Sequence, residues 1–243
     1  MKKNHLLLIV FVALFFVSCE DNSGKYVKRH LTTTEMENAF EDCLLESIDY
    51  AIDNLCPEDT ESYNQGYGFY QYPDTAKHPY RITLPSSAKG IIDSLTVHGQ
   101  SELIDNLILH INRAAESCGS SLTSAFSSAI RNIRYSNPQS LLSTSSSNAI
   151  TKYFMTQCGT SLQSSLQTPL QIKLSERGIP TEWNNILQIY YSYNPQPVSI
   201  DLTSSITSQM LNGIYAEMAK MEELIRTNEA YRTTDDLELV FGN

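Results

Sequence analysis

Two sets of charged side chains stand at spacings that chemistry can use. Arg113 and Glu116 lie three residues apart, close enough to pair on one helix face. Arg226, Arg232 and Asp235 gather near the C-terminal end of the chain. A guanidinium offers a planar fork that grips a carboxylate or phosphate through two hydrogen bonds, so either set fits an anion site. The same residues also fit inter-helix clamps that fix register where a helix ends, and the clamp is the leading reading. Glu222 stands four residues before Arg226, the favourable order for an acid and a base on one helix.

A third set is aromatic. Tyr63, Tyr67, Phe69, Tyr70, Tyr72 and Tyr80 crowd a stretch punctuated by Gly66, Gly68, Pro73 and Pro79. Aromatics on a loop can stack on sugars or cover an apolar pocket, which makes Tyr67, Tyr70 and Tyr72 candidate binding residues. The plainer expectation is that these rings lie across the helices and close the core. Other chemistry finds little support. No GxSxG, HExxH, P-loop or CxxC pattern occurs. His30, His78, His98 and His110 include no two at metal-ligand spacing on one helix, and Asn106, an amide, stands one turn before His110. Serine is so common that a serine near a histidine proves nothing. No catalytic residue, metal or cofactor is therefore expected.

Cys19 carries a different chemistry. Lys2 and Lys3 precede an unbroken apolar run from Leu6 to Val17, flanked like a signal peptide and too short to span a bilayer. The run ends in Phe16-Val-Ser-Cys19, which resembles a bacterial lipobox. Cleavage before Cys19 would remove residues 1–18 and leave that thiol to carry acyl chains, each buried CH₂ contributing about 0.8 kcal/mol of anchoring. Glu20 and Asp21, just after it, resemble a surface-export signal of some lipoproteins. The expected location is the bacterial cell envelope, lipid-anchored at the outer membrane and facing the periplasm or the surface. Loss of Lys2 and Lys3 moves the formal charge from −10 to −12. No basic stripe remains, so nucleic acid is not an expected partner. In an oxidising compartment Cys43, Cys56, Cys118 and Cys158 allow three pairings, and spacing does not choose among them.

These residues need helices to hold them. A polar tether is expected over 19–33 and one helical domain over 34–243. Thr34 and Glu37 read as a capping box opening the first helix, with Met36, Ala39, Phe40, Cys43, Leu44, Ser47, Ile48, Ala51, Ile52 and Leu55 on one face and Pro57 ending it. Further helices are expected after Pro85, over Ser101–Cys118, over Ser121–Ile133, briefly after Asn137, over Ala149–Leu174 with a kink at Pro169, and over Thr181–Tyr193. Arg113, Glu116 and Asn112 leave the apolar face of the Ser101 helix. The last long helix, Leu202–Thr227, has Asp201 as its cap and a stripe broadened by Leu211, Tyr215 and Leu224, so more than one neighbour should cover it. A short closing helix follows Thr234. No stretch alternates as a strand does. The fold class is all-α: an irregular multi-helix bundle with a single core and a long C-terminal helix.

Residues from about 68 to 242 resemble the DUF4197 family of bacterial envelope proteins. The resemblance rests on Leu84-Pro85, Ile111-Asn-Arg-Ala-Ala-Glu116, Ala149 with Thr151-Lys-Tyr-Phe154, and Met210-Leu-Asn-Gly-Ile214. Its longest blocks run from Ala216 to Arg226 and from Ala230 to Asp235, followed by Val240-Phe-Gly242. The tyrosine-rich insertion, the four internal cysteines and a serine-rich link before Ala149 depart from it. The resemblance implies an all-helical envelope protein and no activity. The expected function is a non-catalytic lipoprotein, held to the membrane through Cys19, that binds an envelope protein or cell-wall polymer. The alternatives are a module for a small apolar ligand between helices and a hydrolase.

Overall fold

A computed structural model describes residues 30–58, 67–70 and 80–242. Cys19, with the leader and most of the expected tether, and Tyr72 lie outside the described residues. Among the described residues nine α-helices follow one another: α1 Thr33–Leu55, α2 Lys89–Val97, α3 Ser101–Glu116, α4 Gly119–Asn132, α5 Pro138–Ser143, α6 Ala149–Glu176, α7 Ile179–Tyr193, α8 Leu202–Thr227 and α9 Asp235–Phe241. Single 3₁₀ turns precede α2 and α9. Among the described residues there is no strand, and no helix is long and apolar enough to cross a membrane.

The first helix begins two residues earlier than expected. Thr32, not Thr34, accepts from the Glu35 backbone N–H, and Glu35 reaches back to the Thr32 backbone N–H at 2.9 Å. Both threonines stand three residues before a glutamate, so the local pattern fits either start. The earlier one places Met36 in the first buried turn.

The long helix α8 is the axis of the domain. α1 lies along it most extensively, α6 packs on another side, and α9 folds back against α1. Coverage from several sides explains why α8 buries thirteen residues, from Leu202 to Ile225, on more than one face. Asp201 accepts from Ser204 N–H as the expected cap. α6 runs unbroken through Pro169. Gly178, at φ +76°, takes the left-handed turn from α6 to α7 that a side chain would strain.

Gly213 has a packing reason. A Cβ there would stand 2.8 Å from Phe69 Cε1, so the missing side chain makes the seat into which Phe69 sinks. Phe69 is fully buried. That part of the tyrosine-rich segment belongs to the core, as the plainer expectation held.

Candidate functional site

Arg113 and Glu116 do pair. Arg113 Nη1 donates to Glu116 Oε2 at 2.8 Å, and the Glu116 side chain is fully buried. Its other oxygen accepts the Tyr70 backbone N–H at 3.0 Å. Of the residues expected to leave the apolar face of α3, Glu116 and Asn112 are thus buried and Arg113 is half-buried. Asn112 makes the same point: Oδ1 accepts from Ile82 N–H while Nδ2 donates to the Ile82 carbonyl, tying an extended segment to the helix as a strand neighbour would. The sequence held no periodic signal for this, because the partner segment is irregular and the buried face is polar.

Tyr70 is the half-buried end of that arrangement. The Arg81 guanidinium lies 3.9 Å from its ring centre, and that of Arg113 5.7 Å away on the same ring. A cation over a tyrosine face contributes about 0.5–1 kcal/mol when wet and more when desolvated. Burial pushes the Glu116 carboxyl above its usual range, against the pull of Tyr70 N–H and Arg113. Beside it opens a cleft of about 780 Å³, lined by Asp53, Cys56, Glu58, Glu116, Ser117 and Arg177 among others. Arg177 donates to Ser117 Oγ at 3.1 Å on its rim. Tyr67, at the surface, is 38% exposed. Of the three candidate tyrosines, the structure therefore places Tyr70 on the arginine pair and Tyr67 in solvent.

The second charged set is divided. Glu222 is fully buried on α8 and receives Ile150 N–H, Thr151 N–H and Thr151 Oγ1 at 2.7–3.0 Å, which caps the start of α6 from a neighbouring helix. Arg226 pairs with it at 2.8 Å and donates to the Leu141 carbonyl. Arg232 Nε donates to the Ile225 carbonyl at 3.0 Å and its fork reaches the Arg226 carbonyl and Glu238. Asp235 stands exposed in the first turn of α9, and Glu238 rather than Asp235 is the acid on Arg232. Arg226 and Arg232 therefore grip helix ends, as clamps do. Thr234 caps α9 and donates to Asp42 of α1 at 2.6 Å, tying α9 to α1.

Two polar contacts between helices, Asn54 with Glu217 and His110 with Glu182, had no local signal. Glu217, buried on α8, receives Lys220 and Asn54, and Tyr80 lies under the Lys220 ammonium. His110 Nδ1 sits 2.7 Å from Glu182 Oε1, so the acid missing one turn earlier comes instead from α7. That pair is half exposed, and its geometry is that of an oriented imidazole. Serines of the helices largely bond back to carbonyls of their own helix, as Ser117 does to Arg113 and Ser175 to Gln171. Among the described residues no three His, Cys, Asp or Glu converge as metal ligands.

These features define an all-α domain built on a central helix pair, with internal carboxylates that fasten helix ends and one arginine-braced aromatic corner beside a cleft. The chain belongs to the DUF4197 family, described as a protein of unknown function, whose match spans residues 30–242. No curated protein and no solved structure matches it.

Proposed function

We propose that the protein is a non-catalytic, lipid-anchored lipoprotein of the cell envelope that binds an envelope protein or cell-wall polymer at the Tyr67–Tyr70 corner. The observation that carries this reading is the mounting of Tyr70. Its backbone is held by a buried carboxylate, its ring by Arg81 and Arg113, and the same carboxylate lines an open polar cleft. A rigid aromatic beside arginines loses little entropy on meeting sugars or carboxylates, and Tyr and Arg lead among residues that carry binding energy. Membrane attachment rests on the Lys2–Cys19 segment.

The test uses the full chain. Tyr67→Ser combined with Tyr70→Ser should lower retention on purified cell-wall polymer, or photo-crosslinking to an envelope protein, at least tenfold while the melting temperature moves by only a few degrees. Unchanged capture with a large fall in melting temperature would assign the tyrosines to the core alone. Cys19→Ala should release the chain from membranes, and its retention after a salt wash would count against lipidation.

The apolar-ligand reading has one feature in its favour. Leu174, Ile179, Pro180, Trp183, Ile200 and Leu202 line a recess of about 240 Å³ where α6, α7 and α8 meet. Ligand pockets usually run from about 300 Å³ upward, so the larger, polar cleft is preferred.

A further inference from the structure

All four cysteines of the helical domain are free thiols in the structure. Two of them share one corner. Cys56 is the C-cap of α1, and Cys118 is the N-cap of α4 where α3 turns into it. The two helices pack directly. Gly119, next to Cys118, comes so near that an added Cβ would stand 3.2 Å from Cys56 Cβ. Adjacent Cα atoms are about 3.8 Å apart, so Cys118 is one short step from that contact, within the neighbourhood where a disulfide's Cα span of about 4.4–6.8 Å is reached. Cys43 faces Ser47, Glu222 and Arg226 instead, and Cys158 lies with Tyr135 and Tyr215.

We propose that Cys56 and Cys118 are a disulfide-forming pair that staples the end of α1 to the α3–α4 corner. The bond would close the loop 56–118, which holds the whole tyrosine-rich segment, and would fix the point from which that segment departs. The pairing rests on packing alone and is independent of the recognition role given to Tyr70.

The chemistry is exchange with a small disulfide. The Cys56 thiolate, reached from the cleft that it lines, attacks one sulfur of glutathione disulfide. That S–S bond breaks, and one glutathione leaves as a thiolate that takes up a proton. The Cys118 thiolate then attacks the Cys56 sulfur and displaces the second glutathione. Two protein thiols are oxidised and one disulfide is reduced to two thiols. Burial pushes the Cys56 thiol up, helped by the nearby Cys118, and pushes Cys118 up to about 11. Only about one Cys118 in a thousand is then ionised at pH 8, so exchange at that pH is slow.

The reduced full chain is incubated with glutathione disulfide at pH 9 and digested with trypsin and a glutamate-specific protease, which separates Cys43 from Cys56 by cutting after Glu46. Peptides are mapped by mass without reduction. The Cys56–Cys118 linked pair should exceed every other link at least tenfold, and the preference should vanish when the incubation is repeated in denaturing urea. Oxidation should raise the melting temperature by several degrees, an increment absent from Cys118→Ala. A dominant Cys43–Cys158 link, or no intramolecular link after prolonged incubation, overturns the pairing whether or not any variant folds.

Discussion

Glu222 offers the sharpest test of how this fold is held. Its carboxylate is fully buried and accepts from two backbone N–H groups of α6, from Thr151 Oγ1 and from Arg226. Glu222→Ala leaves the first turn of α6 without those acceptors and leaves Arg226, only 13% exposed, without its acid. Breaking a buried ion pair from one side costs about 3–5 kcal/mol, because the surviving charge stays desolvated. For a chain of this size each kcal/mol moves the melting temperature by about 2–4 °C, so a fall of roughly 6–20 °C is expected. Arg226→Ala should cost less, about 2–3 kcal/mol, since Glu222 keeps its three donors on α6. The double variant should be more stable than the sum of the two losses predicts, by about 1–3 kcal/mol of coupling. The assay is urea unfolding followed by circular dichroism, on all four proteins at one pH. Additive losses, or a Glu222→Ala chain within about 1 kcal/mol of the parent, would refute the claim that this carboxylate joins α8 to the start of α6.

Arg232→Ala should destabilise by about 1–3 kcal/mol in the same assay, the range for a charged donor on the terminal carbonyls of α8, and Arg232→Lys should recover only part, having no fork to span Ile225, Arg226 and Glu238. Gly213→Ala should cost about 1–3 kcal/mol despite the better helix propensity of alanine, because the Phe69 ring must give way; a gain in thermal stability would show that the seat is loose. Burial pushes the Glu116 carboxyl above the ordinary 4.5 of a glutamate, so between that value and its raised native one the folded chain binds more protons than the unfolded chain. Its contribution is then greatest at low pH and is lost as pH rises through the native value, at no more than about 1.4 kcal/mol per pH unit. Glu116→Gln should flatten that component when stability is measured from pH 4 to 8, and an unchanged profile would contradict the burial argument.

What the sequence made legible was periodic. The apolar stripes of α1, α3, α6 and α8 announced their helices, because burial on one face writes a repeat into the chain. Asp201 and Thr234 announced two helix starts, since a cap acts within three residues of itself. The start of α1 was ambiguous by two residues for the same local reason: Thr32 and Thr34 are equally placed before an acid. The clamp roles of Arg226 and Arg232 were also legible, because both flank a reversal where carbonyls lose their helical partners.

The polar interior was not legible, and the reason is geometric. Glu222 looked like half of an ordinary surface pair with Arg226, and only the arrival of α6 turns it into a cap. Asn112 and Glu116 each answer an irregular segment that no repeat describes, through Ile82 and Tyr70, and Glu217 answers Asn54 of the neighbouring helix α1. Both segments that carry Tyr70 and Ile82 are therefore fastened by polar side chains projecting from helices whose apolar stripes face elsewhere. This division has a functional consequence. A loop held by apolar packing alone would be expected to take its aromatics inward, as Phe69 does over Gly213. Holding the next residue by its backbone N–H on Glu116 leaves the Tyr70 ring outside the core with two arginines to brace it. The chain thus uses a buried carboxylate to hold one aromatic half-buried at the edge of the core. A ring left half-buried and braced by two arginines is the physical ground for testing the proposed binding there before anywhere else on the fold.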